Sequence, residues 1–347
     1  MLKTRASIMK QIRLFFDERG YLELDTPLLC DNLIPESCLE VFQTERLYPR
    51  GSRKENKPLW LVPSPEIWMK KIIARHKTDI FQICKCFRNG ESEGRLHNSE
   101  FTMLEYYTMN ADYLDSLKIT EELIAFLIEK QSENCEPLPT PNSQLPTPDS
   151  PLPTPHFLRI TVAEAFSRWA GFDLFEAANK KGAMEKEARR LGLEPPPGMT
   201  APELYDLIFI HAVEPQLKTE KPIFLLDYPA FVPCLAKGRE QRTENSEQRT
   251  EKGEPNGTVE RWELYWNGVE LANCFSEETD PQKVRDFFIS EAAEKEKSAI
   301  VRHKVDHDYW KLFEGQAFPQ CSGVAMGVDR LIMALTGIGQ IDGVTCF

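Results

Sequence analysis

Cys86-Phe-Arg88-Asn-Gly-Glu-Ser-Glu-Gly-Arg-Leu-His97-Asn98-Ser-Glu-Phe101-Thr-Met-Leu-Glu105-Tyr-Tyr107 is the stretch whose reading decides the fold. Two strand-like runs, over 79–88 and 99–109, flank a polar loop. Alternation puts Phe101, Met103, Glu105 and Tyr107 on one face of the second strand, spanning roughly 20 Å at about 3.3 Å per residue. An adenylate carrying a small amino acid has about that length. Such a face can stack a flat base at one end and hold a cation between a carboxylate and a phenol at the other.

Working outward, residues 5–19 place Ile8, Ile12, Phe15 and Phe16 on one helical face, with Gly20 as a C-terminal cap. Residues 21–27 read as a strand ending at Pro27. Helical patterns follow over 112–131, 160–169, 178–191, 202–213 and 281–297, and the stretch 323–335 begins glycine-rich and becomes an amphipathic helix. Asn267-Gly268, within 259–275, is a strong hairpin signal. Strands joined by hairpins, with helices clustered between them, predict an α+β fold built on an antiparallel sheet flanked by helices.

Two stretches do not fit a core. Eight of the 19 residues from Pro137 to Pro155 are proline, and Leu-Pro-Thr-Pro recurs at Leu138, Leu145 and Leu152. Gln241-Arg-Thr-Glu is repeated at Gln248 with no apolar residue nearby. Insertions at 136–156 and 239–257, extended or disordered, are expected within a single domain covering 1–347. The chain has 347 residues, a formal charge of −12 and nine cysteines in no regular framework. An acidic chain with no basic patch argues against a large nucleic-acid footprint. The thiols are expected reduced, and no run is long and apolar enough for a membrane helix, so a cytoplasmic location is expected. Cys84 and Cys86 lack a second pair at zinc spacing and are read as small buried residues.

The Asn-Gly turn permits a geometric argument. It pairs Trp266 with Val269 and Tyr265 with Glu270, leaving Glu263 on the face of Glu270 with Cα atoms about 7–8 Å apart. Two carboxylates so placed suit a Mg²⁺ ion bridged to phosphate oxygens.

The Cys86–Tyr107 block resembles motif 2 of class II aminoacyl-tRNA synthetases, most closely the lysyl branch. Gly20-Tyr-Leu-Glu-Leu-Asp-Thr-Pro27 looks like motif 1, the dimer-forming helix and strand, and Gly323-Val-Ala-Met-Gly327-Val-Asp-Arg330 looks like motif 3. The three blocks occur in the family's order across residues 5–335. The resemblance implies ATP-dependent formation of an aminoacyl-adenylate by a homodimer. Arg88 and Arg330 would be the catalytic cations, Arg88 bridging the α-phosphate and the amino-acid carboxylate and Arg330 meeting the γ-phosphate. Phe101 would stack on adenine, while Asn89, Glu91 (or Glu93, since the loop carries one extra residue), His97 and Asn98 would hold the purine and triphosphate. Leu264 and Gly327 complete the expected ATP contacts. Glu263 and Glu270 match the family's metal-binding glutamates.

By the same resemblance Ser64, Pro65, Glu66, Glu105, Tyr107, Glu270, Asn273, Glu277 and Ala325 would line the amino-acid pocket. Its excess of carboxylates selects a diamino acid and penalises a neutral side chain. Ala325 stands where the usual motif has glycine, and its methyl group occupies space that an amine on the α-carbon would need. Motif 1 starts too early for an N-terminal anticodon-binding domain. The chain is therefore similar to the bacterial lysyl-synthetase paralogues that ligate (R)-β-lysine to elongation factor P. A tRNA-charging enzyme and a non-catalytic regulatory module are the alternatives. Ser99, in place of the usual proline, is a departure from the pattern.

Overall fold

The computed structural model describes residues 1–49, 53–90, 94–133, 155–239, 257–316 and 318–345. In chain order its strands are β1 (Leu22–Glu23), β2 (Leu29–Cys30), β3 (Gln43–Arg46), β4 (Lys57–Leu61), β5 (Ile80–Phe87), β6 (Glu100–Met109), β7 (Leu158–Thr161), β8 (Ile223–Pro229), β9 (Thr258–Trp266), β10 (Val269–Ser276) and β11 (Cys321–Gly327). Eight of them form one sheet in the order β1-β5-β6-β11-β10-β9-β8-β7, and β2-β4-β3 form a small second sheet. The six central strands are antiparallel, as predicted. Each edge strand is parallel to its neighbour, however. Both edges are reached by long connections, which parallel pairing requires.

One face of the sheet packs on the helices Leu2–Asp17 and Tyr113–Glu133. Ile8, Ile12, Phe15 and Phe16 are fully buried in this core with Leu104, Tyr106, Trp262, Leu264, Val324 and Met326. Phe16 stacks on Phe81 with ring centroids 4.9 Å apart. Burying a large apolar side chain contributes about 1.5–3 kcal/mol, so these four residues anchor the helix to its own sheet. The opposite face meets two further cores. One is built from the helical region 162–217, and the other from β2 and β4, the helices Glu66–His76 and Pro281–Ser298, and Tyr309. The cavity described below lies on this second face.

The helical region departs from the predicted pattern where local chemistry intervenes. The helix expected over 160–169 is a short α-turn, Val162–Ala165, that widens into a π-helical turn and closes with Gly171 N–H donating to Phe166 O. Gly182, at φ 74°, divides the helix expected over 178–191 into Leu174–Asn179 and Ala183–Arg190. The glycine-rich start of 323–335 is the central strand β11, and only Val328–Thr336 is helical. The expected insertions at 136–156 and 239–257 lie almost wholly outside the described residues.

Candidate active site

Three neighbouring strands pave the floor of a cavity of about 480 Å³. Gly323 of β11 pairs with Tyr107 of β6 and Phe275 of β10, while Ala325 pairs with Glu105 and Asn273, and Gly327 with Met103. Large residues on the outer strands and small ones on the central strand leave a trough. A Cβ atom at Gly323 would lie 2.4 Å from Tyr107 Cε1 and 3.0 Å from Glu277 Oε1, so only glycine fits there. Phe101, Met103, Glu105 and Tyr107 all line the cavity, as alternation predicted. The intervening Leu104 and Tyr106 enter the core behind the sheet.

The hairpin contains a feature that spacing did not reveal. Tyr265 pairs with Glu270 as expected, but the register then slips, so that Leu264 faces Ala272 and Glu263 faces Asn273. Leu271 is the extra residue of this β-bulge. Glu270 and Asn273 are three apart and would point to opposite faces of a regular strand; the bulge brings both to the cavity wall. Glu263 is fixed by Arg261 Nη2 at 2.5 Å and by the Tyr265 hydroxyl at 2.8 Å. Arg261 Nε also donates to Asn273 Oδ1 at 3.1 Å. Burial and the neighbouring Glu263 push the Glu270 carboxyl up to about 7, with Arg330, Arg261 and Arg88 opposing. Two carboxylates facing one cavity are hard oxygen donors of the kind Mg²⁺ takes beside a triphosphate.

At one end of the trough, Arg330 is aimed by two backbone carbonyls: Nη1 donates to Glu270 O at 2.9 Å and Nε to Leu96 O at 3.3 Å. The guanidinium of Arg88 lies 5.2 Å from the centre of the Phe101 ring. His97 and Asn98 complete this wall. Behind it, Asp329 accepts the Thr102 amide at 2.7 Å and Arg5 Nη1 at 2.6 Å. Arg5 Nη2 donates to Thr102 Oγ1 at 2.8 Å, tying the N-terminal helix to motifs 2 and 3 together.

The other end is acidic. Tyr107 donates to Glu105 Oε1 at 2.7 Å. Lys70, fully buried, bridges Glu66 at 2.6 Å and Glu277 at 2.7 Å. Burial disfavours a charged lysine, yet Glu277 and Glu66 hold the Lys70 ammonium well above its usual value. Burial and then Glu66 drive the Glu105 carboxyl well above the usual carboxylate range. Glu105 Oε2 and Glu277 Oε1 are buried without a hydrogen-bond partner. Two orphaned acceptors in one pocket are costly unless a ligand supplies donors.

Most of the expected site residues converge on this cavity: Ser64, Glu66, Arg88, His97, Asn98, Phe101, Glu105, Tyr107, Glu263, Glu270, Asn273, Glu277, Ala325, Gly327 and Arg330. Three do not line it. Leu264 points into the core behind the sheet because it alternates with Glu263 and Tyr265. Asn89 ties its own loop to the segment beside it, its amide donating to Val41 O and its backbone N–H to Glu40 O. Pro65 opens the helix Glu66–His76, where a missing N–H costs nothing. Glu91 and Glu93 lie outside the described residues. Reasoning from sequence missed Lys70, Arg261 and Arg5. For Lys70 a signal existed, since Glu66 and Lys70 are four apart on one helix. Cys86 is buried and Cys84 partly so, with sulfurs 3.8 Å apart, and no cluster of three or more metal-ligating side chains occurs among the described residues.

The floor, the paired arginines and the carboxylate hairpin define a class II synthetase catalytic domain. The family model for class II tRNA synthetases (D, K and N) matches residues 1–347, and the chain belongs to that family. Among curated proteins, it is 32% identical over 346 residues to the elongation factor P–(R)-β-lysine ligase of Avibacterium paragallinarum, covering all of this chain and 94% of that protein. It is 31% identical over 350 residues to the enzyme of the same name from Vibrio atlanticus, with the same coverage. A homologue of that ligase from Aquifex aeolicus is 34% identical over 332 residues, 95% of this chain and 93% of that protein.

Proposed function

We propose that this chain activates a diamino acid, (R)-β-lysine or lysine, with ATP and transfers it to a lysine side chain of elongation factor P. The observation that carries the reading is the acidic end of the cavity, where Glu105 Oε2 and Glu277 Oε1 have no donor and Arg88 and Arg330 lie along the same trough. A ligand with one carboxylate and two ammonium groups complements both.

In activation, the amino-acid carboxylate attacks the α-phosphorus of ATP, an acyl–phosphate bond forms and diphosphate leaves. The nucleophile is already ionised, so no general base is needed. Arg88 and Arg330 neutralise charge developing on the phosphates, and their fixed position lowers the reorganisation that this requires. Glu263 and Glu270 would hold Mg²⁺, which when bound screens the triphosphate. In transfer, the acceptor amine attacks the acyl carbon, an amide forms and AMP departs.

The names of the relatives support elongation factor P as acceptor. A homodimer is also proposed, from the family resemblance. The inward face of the N-terminal helix cannot supply that interface, being consumed by the core, whereas Leu14 and Leu22 remain exposed. No helix among the described residues is long and apolar enough to cross a membrane. The test is ATP–pyrophosphate exchange with lysine and with (R)-β-lysine, followed by labelled transfer to elongation factor P or to tRNA. Exchange with a diamino acid and label on elongation factor P support the reading; label on tRNA alone overturns the acceptor.

A further inference from the structure

We propose that Glu36 is a specificity-determining residue, its carboxylate facing the same cavity as Glu66 to receive the substrate amine closest to the reacting carboxylate. The proposal rests on the diamino-acid reading above and adds a contact to the same pocket.

Glu36 belongs to the loop 33–41, which is fastened along its length. Leu33 N–H donates to Lys304 O at 2.9 Å, and Ile34 is buried in the core behind the loop. Lys295 Nζ donates to Glu36 O at 2.8 Å and to Leu39 O, and Ser37 N–H donates to Glu291 Oε2 at 2.9 Å. Glu40 accepts the amides of Ile300 and Val301 at 2.9 and 3.1 Å. Asn89 N–H joins the loop to motif 2 through Glu40 O at 2.9 Å. A loop held this firmly is a wall, and Glu36 is on its cavity side.

Among the described residues, no group hydrogen-bonds the Glu36 carboxylate. The charged groups facing it are Glu66 and Lys70 from the helix Glu66–His76, Arg88 from the end of β5, and Lys295 from the helix Pro281–Ser298; Cys38 adjoins it on its own loop. The cations are engaged elsewhere: Lys70 bridges Glu66 and Glu277, Lys295 serves backbone carbonyls, and Arg88 lies over Phe101. Burial, then Glu66, pushes the Glu36 carboxyl up to about 7. Arg88, the expected partner of the substrate carboxylate, bears on Glu36, while Glu66 is shared with the acidic end, tied to Glu277 through Lys70 and raising Glu105. An ammonium between Glu36 and Glu66 would relieve their repulsion and ionise Glu36.

The experiment is pyrophosphate exchange by the full chain and by its Glu36→Gln and Glu36→Asp variants from pH 6 to 8.5. 6-Aminohexanoate serves as an inhibitor because it lacks the amine near the carboxylate. Glu36→Gln is expected to raise KM for the diamino acid at least tenfold, leaving KM for ATP and inhibition by 6-aminohexanoate within about twofold. Wild-type KM should fall as pH rises through about 7; Glu36→Gln should flatten that trend, and Glu36→Asp should restore part of it. An unchanged diamino-acid KM overturns the proposal, as does a KM for ATP or a 6-aminohexanoate constant that rises in parallel, which would mark a structural loop. A wild-type chain that exchanges with neither diamino acid overturns this proposal and the functional reading together.

Discussion

Replacing Gly323 with alanine tests the floor of the proposed amino-acid pocket. The new Cβ would lie 2.4 Å from Tyr107 Cε1 and 2.9 Å from Cδ1. Carbon atoms rest at about 3.5 Å, so the ring must retreat by about 1 Å. Tyr107 is buried and its hydroxyl reaches Glu105 at 2.7 Å; a 1 Å displacement takes that contact beyond hydrogen-bond length. The third neighbour, Glu277 Oε1 at 3.0 Å, would be crowded as well. Losing the hydrogen bond and leaving a buried acceptor unsatisfied costs about 2–3 kcal/mol. If that falls on binding, KM for the diamino acid rises roughly 30–140-fold. KM for ATP should change little, because Arg330, His97 and Phe101 lie at the other end of the trough. Pyrophosphate exchange with each substrate varied in turn measures both. An alanine variant with normal amino-acid KM and unaltered thermal stability would refute the claim that the pocket is shaped by the missing side chain.

Three further outcomes are expected. Arg5→Met should leave Asp329 with only the Thr102 amide, lowering unfolding stability by about 3–5 kcal/mol as breaking a buried ion pair does; denaturant titration measures this. Glu105→Gln should abolish diamino-acid activation and yet gain stability relative to the parent as pH rises above the ordinary carboxyl value of 4.5. The folded parent retains its proton on Glu105 there while the unfolded chain releases it, so parental stability falls with rising pH and the glutamine variant is spared that loss; thermal melts across pH show the crossover. Ala325, between Glu105 and Asn273 on the floor, should bias the choice of isomer, so that Ala325→Gly shifts the lysine to (R)-β-lysine preference by roughly 10–200-fold in exchange assays.

What the sequence alone determined rests on period and chemistry. Period-two alternation assigned Phe101, Met103, Glu105 and Tyr107 to one face, and the Asn267-Gly268 turn set the register of its hairpin as far as Glu270, because both are local rules. The ordered motifs around Arg88, Glu263, Glu270 and Arg330 pointed to the reaction through their resemblance to class II synthetases. Tertiary structure decided the rest. The bulge at Leu271 turned Asn273 toward Glu263, which no spacing rule foresees, since the slip depends on how β9 and β10 twist against their neighbours. Lys70 reaches Glu277, and Arg5 reaches Asp329, across more than 200 and 300 residues of chain. Which surface covers the apolar face of the first helix was likewise a matter of packing: Phe16 lies against Phe81 and Tyr106 of its own sheet. Contacts between distant segments follow from how the segments dock, and docking is a property of the assembled core.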